Sequence, residues 1–233
     1  MGLLHSLRVV AAMARETVPT VIESRLGRID RHTLDGRTHR FARRAIDILD
    51  VDLKVTGGGA VSPRATYVYM SNHQSHLDIP ILYASLPSPT IRMLAKTELF
   101  RIPVWGSALR AAEFIEVDRA DPVRARDSVR RAADLLRDGV SVYLAPEGTR
   151  SRDGRIGPLK KGGFHLALDT GTPIVPVAIR GTIDILPRGT RTMHPGRTVH
   201  VHIGDPIAVA GRTVADLSAE VEQFLRRHVE QAA

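Results

Sequence analysis

From residue 51 onward, short apolar runs alternate with longer amphipathic stretches, and glycine or proline stands at most of the junctions. No other feature constrains the fold as strongly. VDLKVTG reads as a strand closed by Gly57 to Gly59, and ATYVYMSN as a buried strand. SHLDIPILYASL reads as a helix ended by Pro87 and Pro89, and IRMLAK as the next strand. VRARDSVRRAADLLRDG sets Val129, Ala132, Ala133 and Leu136 on one helical side, with Gly139 as the C-cap. VSVYLAPEG, the short helix GGFHLALDTG and the strand TPIVPVAIRG continue the series. TVHVHIG alternates strictly, with Val199, Val201 and Ile203 opposite His200 and His202. Thr213 and Asp216 form a capping-box pattern ahead of a last helix that buries Leu217, Val221, Phe224 and Leu225. Strands that alternate with helices predict an α/β fold, a mainly parallel central sheet flanked by helices.

The first 50 residues read differently. Leu3, Leu4, Leu7, Val10 and Ala14, then Val18, Val21, Ile22, Leu26 and Ile29, recur near helical spacing, with Arg8, Arg15, Arg25, Arg28 and Arg31 among them. Pro19 predicts a break between two helices, and RTHRFARRAIDILD predicts a third from Arg37 to Asp50. Such amphipathic helices suit a lipid surface, and equally suit packing on the main domain. The expected division is residues 1–50 as membrane-docking helices and 51–233 as the α/β domain. No run of 18 uncharged apolar residues is present, so no bilayer-spanning helix is expected.

A net charge of +8 points to anionic partners, a membrane surface or phosphorylated substrates. Only Lys54, Lys96, Lys160 and Lys161 are lysines, so 29 of the 33 basic residues are arginine, a bias that genome composition also produces. Aromatic residues are few and no nucleic-acid-binding signature is present, so nucleic acid is not an expected partner. The absence of cysteine excludes disulfides, thiolate nucleophiles and Cys-ligated metal.

Chemistry concentrates in NHQSHLD, where the YVYM strand ends. On one continuous helix, His73 and Asp78 would lie about 500° apart in rotation and point in different directions. A turn carrying His73 ahead of a helix whose first turn carries Asp78 lets the two meet. The carboxyl end of a parallel strand is also where α/β proteins place their sites. Asp78 then fixes the imidazole tautomer and leaves the other ring nitrogen as a general base. Without a cysteine or a G-x-S-x-G elbow, that base acts on a substrate hydroxyl, in direct transfer with no covalent enzyme intermediate. A structural histidine is the bland alternative. Metal ligation by His73, His76 and Asp78 is another, although the spacing fits no familiar zinc pattern. Three more strand ends carry polar residues: EFIEVDRAD with Arg119, LAPEGTRSRDG with Glu147, Gly148, Thr149 and Arg150, and IVPVAIRG with Arg180. Gly148 allows close backbone approach and Arg150 offers a fork suited to phosphate.

In this order and spacing, NHQSHLD, FIEVDR, EGTR and VPVAIRG resemble the four blocks of the PlsC-type glycerophospholipid acyltransferases, the 1-acyl-sn-glycerol-3-phosphate acyltransferase family. KTELFRIPVWG and LKKGGF add to the resemblance, which spans roughly residues 50 to 205. The resemblance implies acyl transfer from acyl-CoA or acyl-carrier protein to the free hydroxyl of lysophosphatidic acid, giving phosphatidic acid, without a cofactor or metal. Carried over, His73 is the base and Asp78 its orienting carboxylate. Arg119, Glu147, Gly148, Thr149 and Arg150 hold the acceptor's glycerol phosphate, with Asn72 beside them in the substrate-binding set. Val175, Pro176 and Val177 belong to the acyl donor's site or its architecture. One departure is Asp118 directly before Arg119, where the family often has a shorter Phe-Ile-x-Arg spacing. The implied location is peripheral, on the cytoplasmic face of a membrane. Glycerol 3-phosphate, another lysophospholipid or a glycolipid would use the same base. Hydrolysis of the thioester and a non-catalytic membrane-surface role are the remaining alternatives.

Overall fold

In a computed structural model, which describes residues 2–118 and 121–230, the β-branched and aromatic runs become strands and the amphipathic stretches helices. Helices α1 (Gly2–Arg25) and α2 (Arg31–Ile48) come first, then β1 (Asp52–Gly57), β2 (Val68–Ser71), α3 (Asp78–Ser85) and β3 (Ile91–Lys96). Two short helices, α4 (Thr97–Phe100) and α5 (Trp105–Ala111), lead to β4 (Ile115–Val117), α6 (Pro122–Arg137) and β5 (Ser141–Leu144). The chain continues through α7 (Gly162–Thr170), β6 (Ile174–Arg180), α8 (Thr182–Ile185), β7 (Thr198–Ile203) and α9 (Val214–Val229).

Among the described residues, seven strands form one sheet in the order β1-β7-β6-β2-β5-β3-β4. β6, β2, β5, β3 and β4 run parallel, with Tyr69 of β2 opposite both Tyr143 and Val175. β7 runs antiparallel to β6 and carries β1 parallel beside it. The reversal has a local cause. Between β6 and β7 lies only the four-residue α8 and a loop, which supply no helical crossover, so the chain turns back beside the strand it left. β2 and β5 are buried at every position, as strands covered on both faces must be. One face packs Tyr69, Tyr143, Val175, Val177 and Val199 against the α2 and α3 side chains Ala42, Ala45 and Leu82. The other packs Met70, Val142, Leu144 and Ile174 under α6, α7 and α9. The mainly parallel α/β sheet is thus as the sequence leads one to expect.

The N-terminal segment differs from expectation. Helix α1 runs unbroken through Pro19 to Arg25, joining the first two expected helices, and α2 starts at Arg31, six residues before the expected third. Proline removes one backbone hydrogen bond, but contacts to α2 hold the chain on both sides of it. Glu16 pairs with Arg40 and Arg44 at 3.0 and 2.9 Å, and Arg37 reaches Glu23 at 2.6 Å and Thr20 at 3.0 Å. The break falls at Gly27, whose φ of 64° suits glycine, and Asp30 then caps α2 by accepting from the Thr33 N–H at 2.7 Å. Leu3, Leu4 and Leu7 of α1 stay exposed. No helix among the described residues is long and apolar enough to cross a membrane.

Candidate active site

β2 lies between β5 and β6, all three parallel, so their carboxyl ends open side by side at the middle of the sheet. The chain leaving β2 enters a tight turn from Asn72 to Leu77 before α3 begins at Asp78. Backbone and side-chain bonds set that turn. The Asp78 N–H donates to the Ser75 carbonyl, and the Ser75 hydroxyl donates to the Leu186 carbonyl at 2.9 Å. Asn72 holds its base: its Nδ2 donates to the Ile179 carbonyl and its Oδ1 accepts from the Ile179 N–H, both at 2.8 Å. The carboxamide thereby takes the place of a strand partner. Asn72, expected in the substrate-binding set, is only 1% exposed and braces β2 against β6.

His73 and Asp78 come together. Nδ1 of His73 lies 2.7 Å from Oδ2 of Asp78; the carboxylate is fully buried, while the imidazole keeps about a fifth of its surface in solvent. An ionised carboxylate only accepts, so Nδ1 carries the proton and Nε2 carries the free lone pair. The same Oδ2 accepts from the N–H groups of Gln74 at 2.8 Å and Ser75 at 3.0 Å, while Oδ1 accepts from the Thr182 hydroxyl at 2.6 Å. Four donors offset the desolvation of this charge. Oδ2 thereby engages the first two N–H groups after His73. His76 sits on the same turn. Partial burial, with Arg150 and His73 nearby, pushes its pKa down to about 4, so its ring is neutral at physiological pH.

The second wall comes from β5. Glu147 directly follows Pro146, and its carboxylate turns back onto the chain. Oε1 accepts from the His73 N–H and Oε2 from the Gly157 N–H, both at 2.9 Å. Burial raises its pKa, and those two N–H groups oppose the rise. Glu147 was expected among the groups holding a phosphate. A carboxylate so placed lines the neighbouring cleft and also ties the histidine turn to the 147–157 loop. The Ser151 N–H donates to the His73 carbonyl at 2.7 Å and reinforces the tie. Gly148 has φ 73°, and a Cβ there would sit 3.0 Å from the Lys160 side chain. Thr149 is exposed and Arg150 half-buried. Both line an open cleft of about 370 Å³ together with Arg152, Arg155 and Arg188. Burial and the neighbouring Arg188 guanidinium lower the pKa of Arg150, so an anion in this cleft relieves repulsion between the two cations. Arg119 lies outside the described residues. Arg180 ends β6, and Val175 and Val177 of that strand are wholly buried core, which makes this block architecture at those positions.

Sequence reasoning missed Arg188 and Thr182. Arg188 sits in a loop with no pattern to mark it, and its Nη1 donates to the Arg150 carbonyl at 2.8 Å. Thr182 carried a faint signal: a hydroxyl directly after a glycine at a strand end. No group of three or more His, Asp or Glu side chains among the described residues converges to hold a metal ion.

Fold and site together define an α/β protein built around a His–Asp pair beside an arginine-lined cleft. Residues 52–180 match the family described as Acyltransferase, and the chain belongs to that family. It is 42% identical over 140 residues to a chloroplastic 1-acyl-sn-glycerol-3-phosphate acyltransferase of Brassica napus, covering 60% of this chain and 40% of that one. It is 34% identical over 173 residues to 1-acyl-sn-glycerol-3-phosphate acyltransferase alpha of Mus musculus, covering 72% and 59%. This chain thus spans about two fifths of the Brassica relative's length and about three fifths of the mouse one's. The crystal structure of the 1-acyl-sn-glycerophosphate acyltransferase PlsC from Thermotoga maritima superposes with a TM-score of 0.84 at 28% identity, over 99% of this chain and 95% of that one.

Proposed function

We propose that this acyltransferase moves a fatty acyl group from a thioester, acyl-CoA or acyl-carrier protein, to the free hydroxyl of 1-acyl-sn-glycerol 3-phosphate. The observation that carries the reading is the 2.7 Å contact between His73 Nδ1 and the buried Asp78, which leaves Nε2 as a base on a partly exposed ring. Nε2 takes the hydroxyl proton as the oxygen attacks the thioester carbonyl. A C–O bond forms, the C–S bond breaks, and the proton passes from the imidazolium to the departing thiolate. Asp78 stabilises the imidazolium between those steps. A thioester is already activated, so alignment and a base supply most of what the reaction needs. The acceptor's phosphate suits the cleft of Arg150 and Arg188, and the names of the similar proteins point to the same acceptor. The exposed leucines of α1 and the net charge of +8 support a peripheral seat on an anionic lipid surface, where such an acceptor resides. No cofactor or metal is required.

A panel of acceptors tests the reading: 1-acyl-sn-glycerol 3-phosphate, glycerol 3-phosphate, an uncharged lysolipid and water alone, each with acyl-CoA and with acyl-carrier protein. Thiol release that depends on the first acceptor, and a His73→Ala chain slowed by about 10² to 10⁴-fold, are the expected results. Free fatty acid as sole product assigns a thioesterase instead. No thiol release with any acceptor assigns a surface-binding protein.

A further inference from the structure

We infer that Thr182 is a positioning residue for the proposed reaction, the group that locks the Asp78 carboxylate so that Oδ2 stays aimed at His73. The inference rests on the general-base reading above and extends it to a residue outside the turn that carries the pair. A carboxylate can rotate about its terminal torsion and exchange its two oxygens. Oδ2 is held by the Gln74 and Ser75 N–H groups and by His73. Oδ1 lies on the far side, and there the Thr182 hydroxyl donates to it at 2.6 Å, with both residues fully buried. Remove that hydroxyl and a buried oxygen of a full charge loses its donor. The carboxylate then regains its rotation or draws in water, and the imidazole loses a fixed support.

The backbone is shaped for this contact. Thr182 opens α8 directly after Gly181, whose φ is 95° and where a Cβ would collide with the Thr198 carbonyl oxygen of β7. Only glycine lets the chain leave β6 at that angle with β7 so close. The end of the same short helix is tied to the turn again, through the Ser75 hydroxyl on the Leu186 carbonyl. The segment after β6 therefore clamps the histidine turn at two points. This gives the end of the fourth sequence block, VPVAIRG, which Thr182 directly follows, a role that its buried valines alone do not explain.

Thr182→Val keeps the shape and deletes the hydroxyl, while Thr182→Ser keeps the hydroxyl. The valine chain is expected to lose about 10- to 100-fold in kcat, with KM for acyl-CoA and for 1-acyl-sn-glycerol 3-phosphate each within about threefold of the parent. The serine chain is expected to stay within about threefold in all three constants. Full kcat in the valine chain, or a loss confined to KM, overturns the assignment. So does a tenfold loss in the serine chain, which decides the matter even if the valine chain does not fold. A His73→Ala control separates the two readings. If it is inactive while Thr182→Val is fully active, only the role of Thr182 fails; if it is fully active, the general base itself fails.

Discussion

In the proposed reaction His73 works through one proton: with Nδ1–H directed at Asp78, the lone pair on Nε2 is the only basic site left on the ring. The residues around it divide by the direction they face. Asn72 and Ser75 face inward and fix the backbone, as Glu147 does from the cleft wall, whereas Thr149, Arg150 and Arg188 line the open cleft. A substitution in the second group should therefore alter binding more than turnover. Arg150→Ala is expected to raise the acceptor's KM by about tenfold or more, the loss of one charge-assisted contact, with kcat changed far less. Steady-state kinetics with the acceptor varied at saturating acyl-CoA checks this. Loss of donor use alone would place the phosphate elsewhere.

At the scale of elements, the question is what holds the N-terminal helices to the sheet. Arg92 on β3 is only 2% exposed, and its Nη1 donates to Asp35 of α2 at 2.6 Å. Asp35 also accepts from Thr90 at 2.6 Å, and Glu113 lies 3.3 Å from Arg92 while binding Arg31 at 2.7 Å. A buried charge that loses its partner is costly. Asp35→Ala is expected to lower unfolding stability by about 3 kcal/mol, while the paired change Asp35→Leu with Arg92→Met costs clearly less. Urea denaturation of the three chains reads this directly, and equal losses in the two variants would show that the contact is not what joins α2 to β3. None of this was readable beforehand. Asp35 and Arg92 are 57 positions apart, and each alone reads as a solvated surface charge. Pro19 misled for a similar reason, because the ion pairs that carry α1 past it reach to another helix. The strands and the capping box at Thr213 were legible because their signals are local: period-two alternation in β7, and two side chains three residues apart.

For the molecule as a whole, charge and exposed apolar surface bear on the proposed membrane seat. Leu3, Leu4 and Leu7 are 64%, 60% and 59% exposed on one end of α1. Each is worth about 1.5 kcal/mol or more if buried in lipid. Replacing all three with serine is expected to weaken binding to vesicles containing anionic lipid by at least about tenfold. Raising the salt from about 0.1 to 0.5 M should weaken the parent's binding too, since exposed charges are screened over a shorter distance. Vesicle co-sedimentation measures both. Unchanged binding in the leucine variant would move the contact surface off this end of α1.

By itself the sequence determined whatever depends on neighbours along the chain: the alternation that makes strands and helices, the positive-φ glycines, and the histidine and aspartate brought onto one turn by their spacing. Folding decided whatever depends on meeting across the sheet. Whether Asn72 and Glu147 face a ligand or the chain, whether Arg188 stands beside Arg150, and whether Thr182 reaches Asp78 all follow from β2 lying between β5 and β6. A side chain's type and spacing are written in one dimension, but its partner's direction exists only once distant strands are adjacent.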